Sequence, residues 1–354
     1  MAVPESTRNG NCDKRLKIGV ACVILVADFI QPWLIILMVE PHPSIGHSPA
    51  MNSADIQIVI TESDRELFHS QGFIVKTRIL SSSFIDALRA RFPLLFAGRF
   101  DTGVYPDEWY WREELSLPDV TRHMANAWKA DLTVARLVLS EEIARAAAAF
   151  TGWDGVRLGQ DTLWWKPPQT KPIAFHQDTS FMNFLDPPQT ITCWVTLDDT
   201  SSEAGTIQYA AGSHRWPLTE LPKTFHAVED YCAPMREAAK AAGVAPPDPI
   251  PIEIPAGSCA FHAGELWHGS GANVTSERMR RGIGIHLLPA SARFSDRPGG
   301  YIYRRYQRTG SPELDESFFP MIWSKEGRRT DWIAGYLQDG VRRRRLPPLP
   351  DAER

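Results

Sequence analysis

Cysteine is scarce in this chain. The five in 354 residues, Cys12, Cys22, Cys193, Cys232 and Cys259, are odd in number, widely spaced and form no CxxC pair. That argues against a disulfide framework and a structural zinc knuckle, and it points to a reducing compartment. An excess of charge of one sign is also lacking: 38 Lys and Arg against 42 Asp and Glu leave a formal net charge of -4. No general attraction to nucleic acid or to an anionic membrane follows from such a balance. There is no Gly-rich phosphate loop, no GxSxG elbow and no Cys-His nucleophile arrangement, so the common sequence signals of nucleotide and acyl-transfer chemistry are missing. No internal repeat is present, which removes solenoids and propellers. What the chain does have is 43% hydrophobic residues, enough to bury a sizeable core, and twelve Trp. Each buried indole needs a partner for its N–H, so some of these aromatics are expected to line a pocket as well as fill a core.

The first fifty residues differ from the rest. Lys14, Arg15 and Lys17 precede Ile18 to Val39, a run of 22 mostly apolar residues, and Pro41, Pro43 and Pro49 follow. The run has the length of a membrane anchor, but Asp28, Gln31 and Pro32 interrupt it, and a central Asp costs about 2.5–3.5 kcal/mol on insertion. Ile18 to Ala27 alone fits the apolar region of a signal peptide, with no clear small-residue cleavage site after it. A third reading starts translation at Met51 and leaves residues 1–50 outside the working protein. Residues 1–54 are therefore read as an N-terminal extension and 55–354 as a single domain. The expected location is cytoplasmic, with membrane contact only if residues 18–39 form an anchor.

From Ile56 the patterning is that of a folded domain. Thr61-Glu-Ser-Asp64 is a capping-box-like start to a short helix ending near Gly72. Phe73 to Leu80, rich in β-branched residues, predicts a strand, and Ser81 to Ser83 can cap a second helix carrying Phe84, Ile85, Leu88 and Phe92 at helical spacing. Residues 100–118 read as loop with Trp109 and Trp111, and Val120 to Phe150 as mostly helical, stopped by Gly152. After Trp153 the chain turns to short β-rich runs: 161–165, 173–178, 190–197, 205–209, 250–254, 258–262 and 281–288. Short strands punctuated by Gly and Pro predict a mainly β sandwich or barrel with flanking helices. Residues 233–249 read as a helix and loop near the barrel mouth.

His176-Gln177-Asp178 places an imidazole and a carboxylate two residues apart in a β-rich run, where period two puts both on one face. His268, followed by Gly269 and Gly271, is the best third ligand. Two His and one carboxylate leave half an octahedron open, the arrangement that suits non-haem Fe(II) with a cosubstrate and oxygen. Arg280 lies twelve residues beyond His268 and shares strand parity with Gly282, Gly284 and His286. The glycines leave room for a slim dicarboxylate whose far carboxylate meets a bidentate guanidinium. Arg281 shares its parity with Ile283 and Ile285 instead.

On these residues the chain resembles the phytanoyl-CoA dioxygenase family of Fe(II)- and 2-oxoglutarate-dependent oxygenases. Matching blocks occur in order: Lys166-Pro167-Pro168, His176-Gln177-Asp178, Glu203-Ala204-Gly205 leading to Gly212-Ser213-His214-Arg215, and His268-Gly269-Ser270-Gly271 with Asn273 and Arg280-Arg281. The resemblance implies a double-stranded β-helix (jelly roll, cupin-like) with iron held by His176, Asp178 and His268, and 2-oxoglutarate reaching Arg280. The spacing from His268 to the arginine is one residue longer than the family pattern, which leaves Arg278 and Arg281 as alternatives. The implied reaction uses 2-oxoglutarate and O2, releases succinate and CO2, and hydroxylates or otherwise oxidises an unactivated C–H bond of a small organic molecule. Asp178 stands where related halogenases have a small residue, so halogenation is not implied.

Other residues carry weaker expectations. Lys166 beside two prolines reads on its own as a solvated loop charge, but the resemblance places it near the cosubstrate. Gln160 and Thr162 are candidate hydrogen-bonding residues for the cosubstrate, and Trp164 and Phe181 candidate substrate contacts at an aromatic-lined mouth. His262 and His286 read as hydrogen-bonded strand histidines, His214 as part of a turn, and Arg342 to Arg345 as a solvated basic tail. Two other classes explain part of the pattern: a metal-dependent hydrolase or isomerase on a cupin-like barrel, which does not need Arg280, and a non-catalytic jelly-roll sensor, which does not need an open-sided metal site. Substrate identity and oligomeric state are not readable.

Overall fold

The computed structural model describes residues 55–221 and 224–339; Ile18 to Val39, Met51 and Arg342 to Arg345 lie outside them. Among the described residues no helix is long and apolar enough to cross a membrane. In α1 (Glu62–Gln71) the Thr61 hydroxyl accepts from the Asp64 N–H at 3.2 Å and the Asp64 carboxylate accepts from the Thr61 N–H at 2.7 Å. This reciprocal cap satisfies two otherwise orphaned donors. Gly72, at φ 86, ends the helix, a left-handed position that glycine adopts without strain. β1 (Phe73–Lys76) is shorter than the predicted Phe73 to Leu80, because Arg78 takes φ 52 and turns the chain away from the sheet. Ser81 then caps α2 (Ser82–Phe96), which buries Phe84, Ile85, Leu88 and Phe92 as their spacing predicts.

Residues 120–150 are not helical throughout. β2 (Glu108–Trp109) and β3 (Arg122–Ala125) pair antiparallel at one sheet edge. Asn126, at φ 57, donates its N–H to the Asp161 carbonyl at 2.8 Å and breaks the run. Helix begins only after separate caps at Asp131 and Ser140, giving α3 (Leu132–Val138) and α4 (Glu141–Thr151). The chain continues through β4 (Gly155–Lys166), β5 (Ile173–His176), α5 (Asp178–Phe181), β6 (Leu185–Asp186), β7 (Ile191–Thr196) and β8 (Ile207–Tyr209). Then come α6 (Ala233–Ala241), β9 (Ile250–Pro251), β10 (Cys259–Ala263), β11 (His268–Ser270) and β12 (Arg280–Pro289). The last elements are β13 (Arg293–Phe294), α7 (Tyr301–Arg304), β14 (Met321–Ser324) and α8 (Trp332–Asp339).

These strands form a double-stranded β-helix. The larger sheet runs β1-β10-β7-β12-β4-β3-β2, with β14 also paired to β4, and the smaller runs β5-β11-β8-β9. Residues of odd number on β12, Ile283, Ile285 and Leu287, join Leu163, Trp165 and Val195 in one apolar core with the helices α2, α3 and α4. Helix α6 lies not at the mouth, as its sequence position suggested, but over the smaller sheet, where Met235 and Ala238 pack with Phe175 and Trp267. Beyond the barrel strands, Trp332 of α8 stacks on Trp128 with centroids 5.8 Å apart, and the Tyr336 hydroxyl donates to the Trp128 carbonyl at 2.7 Å.

Phe92 is fully buried on the helical side of the large sheet, its ring edge-on to Trp165 at 6.3 Å. Phe92→Ala is expected to cost about 3–5 kcal/mol of stability by denaturant melt. Metal binding per folded molecule should be unchanged, because the cavity lies on the opposite face of the sheet.

Candidate metal centre

Arg280, Gly282, Gly284 and His286, the even positions of β12 before its register shift, face the space between the sheets and lay it out in rows. His286 pairs with Thr192, and Thr192 with His262. Gly284 sits between Trp194 and Thr162, Gly282 between Thr196 and Trp164, and Arg280 beside Lys166. A Cβ on Gly284 would lie 2.7 Å from Thr162 Oγ1, and one on Gly282 would lie 2.8 Å from Trp194 Nε1. The glycines thus keep the middle of the wall open. The resulting cavity is lined by Thr162, Trp164, Trp194, Arg280 and His286 on one side and by His176, His268 and Ser270 on the other.

At one end three ligating atoms converge. His268, the first residue of β11, is directly opposite His176, the last of β5. Asp178 arrives by a different route from the one predicted: the strand ends at His176, and Asp178 opens the single turn α5, tied down by the Thr179 N–H donating to the Gly264 carbonyl at 3.0 Å. Ligand atoms of the three lie within 4.8 Å of one another, and all three residues are buried. His176 Nδ1 is 2.9 Å from the Ala174 carbonyl and His268 Nδ1 is 2.9 Å from the Leu266 carbonyl. A carbonyl only accepts, so each Nδ1 carries the hydrogen and each Nε2 presents a bare lone pair. Those nitrogens are 3.6 and 3.5 Å from Asp178 Oδ1. Three lone pairs with no proton between them repel one another, and a cation among them removes that repulsion. The donor set of two imidazoles and one carboxylate fits Fe(II) and leaves coordination positions open.

The second carboxylate oxygen is occupied by the protein. Asp178 Oδ2 accepts from the Thr192 hydroxyl at 2.6 Å and from His262 Nε2 at 3.1 Å. Burial opposes ionisation of Asp178, but the imidazole of His286 and the His262 hydrogen bond favour the carboxylate and hold the carboxyl well below its usual range. Burial pushes His268 far down and His262 down as well, which favours the neutral ring that a metal ligand needs.

At the other end lie two cations. Lys166 is fully buried, which corrects its reading as a solvated loop charge; its ammonium donates to the carbonyls of Gly271 and, at 3.4 Å, Ser270. Arg280 is also buried and donates from Nε and Nη2 to the Gly205 carbonyl at 3.1 and 2.8 Å. Gly205, at φ 69, is where a Cβ would meet the Gly271 carbonyl at 2.6 Å, so that close approach requires glycine. Neither cation has an ion-pair partner among the described residues. Burial, then the charge of Arg280, draws the Lys166 pKa well down, and burial lowers Arg280 to about 10. Arg281 instead forms a two-pronged pair with Asp198 at 2.6 and 3.0 Å, and Arg278 pairs with Glu203 on the surface.

Thr162 and Trp164 line the cavity, whereas Gln160, paired with His286 in the ladder, does not. Phe181 is exposed and not among the lining residues, its ring edge-on to His176 at 5.7 Å. His214 bonds to the His69 carbonyl on α1 and takes no part. Sequence reading missed Thr192, whose only signal was its place in a β-rich run. It also missed Phe225, edge-on to His176 at 4.7 Å, and His226, which lie in a stretch without periodicity.

A double-stranded β-helix with a His-Asp-His donor set and a buried cationic end is an arrangement that could hold a metal ion. Residues 68–282 match the family described as phytanoyl-CoA dioxygenase, PhyH, and the chain belongs to that family. Among curated proteins it is 26% identical over 144 residues to a probable alpha-ketoglutarate-dependent hypophosphite dioxygenase of Stutzerimonas stutzeri, covering 41% of this chain and 49% of that protein. The chain thus spans about half the length of that relative. Its fold is similar to that of the non-heme alpha ketoglutarate dependent carbocyclase SnoK from nogalamycin biosynthesis, with a TM-score of 0.57, 24% identity, and 75% and 97% of the two chains covered. The epimerase SnoN in complex with Fe3+, alpha ketoglutarate and nogalamycin RO aligns with a TM-score of 0.56 at 20% identity, over 74% of this chain and 98% of that one.

Removing a ligand should cost more than the roughly 10–100-fold typical of an outer-shell change. Asp178→Ala is therefore expected to weaken Fe(II) binding by more than about 100-fold in an anaerobic titration followed by tryptophan fluorescence. Binding as tight as that of the parent protein would remove Asp178 from the ligand set.

Proposed function

We propose that this protein is an Fe(II)- and 2-oxoglutarate-dependent dioxygenase that hydroxylates, or otherwise oxidises, an unactivated C–H bond of a small organic molecule. In this reading His176, Asp178 and His268 hold the metal, and Arg280 and Lys166 receive the far carboxylate of 2-oxoglutarate, with Thr162 and Trp164 along its path. The observation that carries the reading is three proton-free donor atoms at one end of the cavity and, at the other, buried Arg280 in its wall with buried Lys166 opposite it on the neighbouring strand, neither with an ion-pair partner among the described residues. Buried charges without counter-ions are costly, and a slim dicarboxylate spanning the glycine gap would bring its far carboxylate to this end as a counter-ion. A hydrolase or isomerase needs the metal but not this cationic end, and a sensor needs neither to be open.

Iron, 2-oxoglutarate and oxygen together supply the oxidising power, with succinate and CO2 as the coproducts. The residues of the chain bind and orient. His176 and His268 keep their Nδ1–H groups on backbone carbonyls, so their Nε2 lone pairs stay aimed at one point. Phe181 and Phe225 pack edge to face at 5.6 Å and both set their rings edge-on to His176. Apart from Asp178 and Arg280 the cavity lining contains no Asp, Glu, Lys or Arg. Together with Trp164 in the wall and the exposed Phe181 beside His176, this supports an uncharged, ring-containing or apolar substrate.

Anaerobic addition of Fe(II) and then 2-oxoglutarate to the purified protein should produce the visible charge-transfer band of a chelated keto acid. Its absence from folded, iron-loaded protein would turn the assignment toward the hydrolase or the sensor. Truncating one member of a buried charge pair costs about 2–5 kcal/mol, so Arg280→Ala should weaken 2-oxoglutarate binding by about 30-fold or more. Because the Lys166 pKa is lowered by burial and by Arg280, the ammonium is present at low pH and lost as pH rises, earlier than in an ordinary lysine. Affinity for 2-oxoglutarate should therefore fall on the alkaline side, and a Kd measured against pH should lose that fall in Lys166→Met.

A further inference from the structure

Two buried imidazoles, His262 and His286, flank Asp178 but belong to neither the ligand set nor the cosubstrate end. Their hydrogen bonds can be assigned direction by direction. Asp178 Oδ2 is a carboxylate oxygen and only accepts, so the Thr192 hydroxyl 2.6 Å away donates to it. That hydroxyl has no second hydrogen. Its contact with His286 Nδ1, at 2.9 Å, therefore requires Nδ1 to carry the hydrogen and Thr192 Oγ1 to accept. The 3.3 Å approach of the same Nδ1 to Asp178 Oδ2 demands the same tautomer, since a bare nitrogen there would face the carboxylate lone pairs. Nε2 of His286 is then the acceptor for the Thr162 hydroxyl at 3.4 Å, and Thr162 Oγ1 itself accepts from the Trp164 indole N–H at 2.9 Å. From the other side, Tyr209 donates to His262 Nδ1 at 2.9 Å, and His262 Nε2–H donates to Asp178 Oδ2 at 3.1 Å.

Every bond in the first series points the same way: Trp164 to Thr162 to His286 to Thr192 to Asp178 Oδ2. We infer that His286 is a positioning residue that, through Thr192, fixes the Asp178 carboxylate as a one-oxygen metal ligand and links its orientation to Trp164 in the cavity wall. The inference rests on the metal-site reading above. With Oδ2 saturated by Thr192 and His262, only Oδ1, the oxygen facing His176 and His268, is left for a metal. The second coordination position that a chelating carboxylate would take remains free for cosubstrate. A side chain of matching volume that cannot donate to Thr192 frees Thr192 to rotate and Oδ2 to swing toward the metal.

The test compares His286→Leu, which removes both bonds, with His286→Asn, whose amide can still donate to Thr192, and with Thr192→Val, which keeps the volume and deletes the link. Each protein is checked for folding by circular dichroism and then titrated anaerobically with Fe(II), and with Co(II) to read coordination from the visible bands. The expected result is a Kd for Fe(II) raised about 10–100-fold in His286→Leu and Thr192→Val, with Co(II) bands altered as the carboxylate turns chelating. His286→Asn should stay within about threefold of the parent protein and keep its Co(II) spectrum, a recovery that a merely space-filling role for His286 does not predict. If His286→Leu fails to fold, Thr192→Val alone decides. A parent protein that binds neither metal overturns this inference and the metal-site reading together. Parent binding with unchanged affinity and spectrum in the folded variants, or Asn as weak as Leu, overturns this inference alone.

Discussion

The two-residue period of β12 is the constraint on which both halves of the structure depend. Its odd positions, Ile283, Ile285 and Leu287, are buried in the core shared with the helices, and its even positions, Arg280, Gly282, Gly284 and His286, face the cavity. A shift of register by one residue would exchange the two sets, burying a guanidinium and an imidazole in apolar packing and emptying the cavity wall. The pairing of β12 with both β4 and β7 over most of its length makes that slip costly. Packing energy on one face thereby fixes the geometry of the polar groups on the other.

The cavity so formed is electrically polarised along its length. One end concentrates lone pairs on His176, Asp178 and His268, and the other holds the guanidinium of Arg280, with the ammonium of Lys166 on backbone carbonyls behind the wall. The donor atoms at one end face one another, and among the described residues neither cation at the other has an ion-pair partner. Such an arrangement costs stability, which a ligand of complementary charge would offset.

Much of this was legible in the sequence wherever the signal was local. The spacing of His176 and Asp178, the parity of Arg280 against Arg281, and the caps at Thr61, Ser81 and Gly152 are properties of a few neighbouring residues. What was not legible depended on partners far along the chain. Arg122 to Ala125 form a strand because β4 offers an open edge, and nothing in the segment itself announces it. Lys166 is buried because the carbonyls of Ser270 and Gly271 accept from it, contacts that its adjacent prolines do not suggest. Asp178 faces the Nε2 atoms of His176 and His268 through a helical turn held by Gly264, not through strand alternation. Of the aromatics, Trp164 and Trp194 line the cavity while Trp128, Trp165 and Trp267 fill cores, a division set by which sheet face each occupies.

The closing contacts of α8 and β14 bear on how the chain reaches this state during synthesis. Tyr336 donates to Trp128 across 208 residues, and β14 adds to the edge of β4 from a similar distance. At about 5–20 residues per second, Trp128 and the free edge of β4 wait roughly 10–40 s on the ribosome for the segment that covers them. For that interval the apolar faces of α3 and α4 have no native cover from the C-terminal part of the chain. The match to the family ends at residue 282, before β14 and α8 supply these contacts.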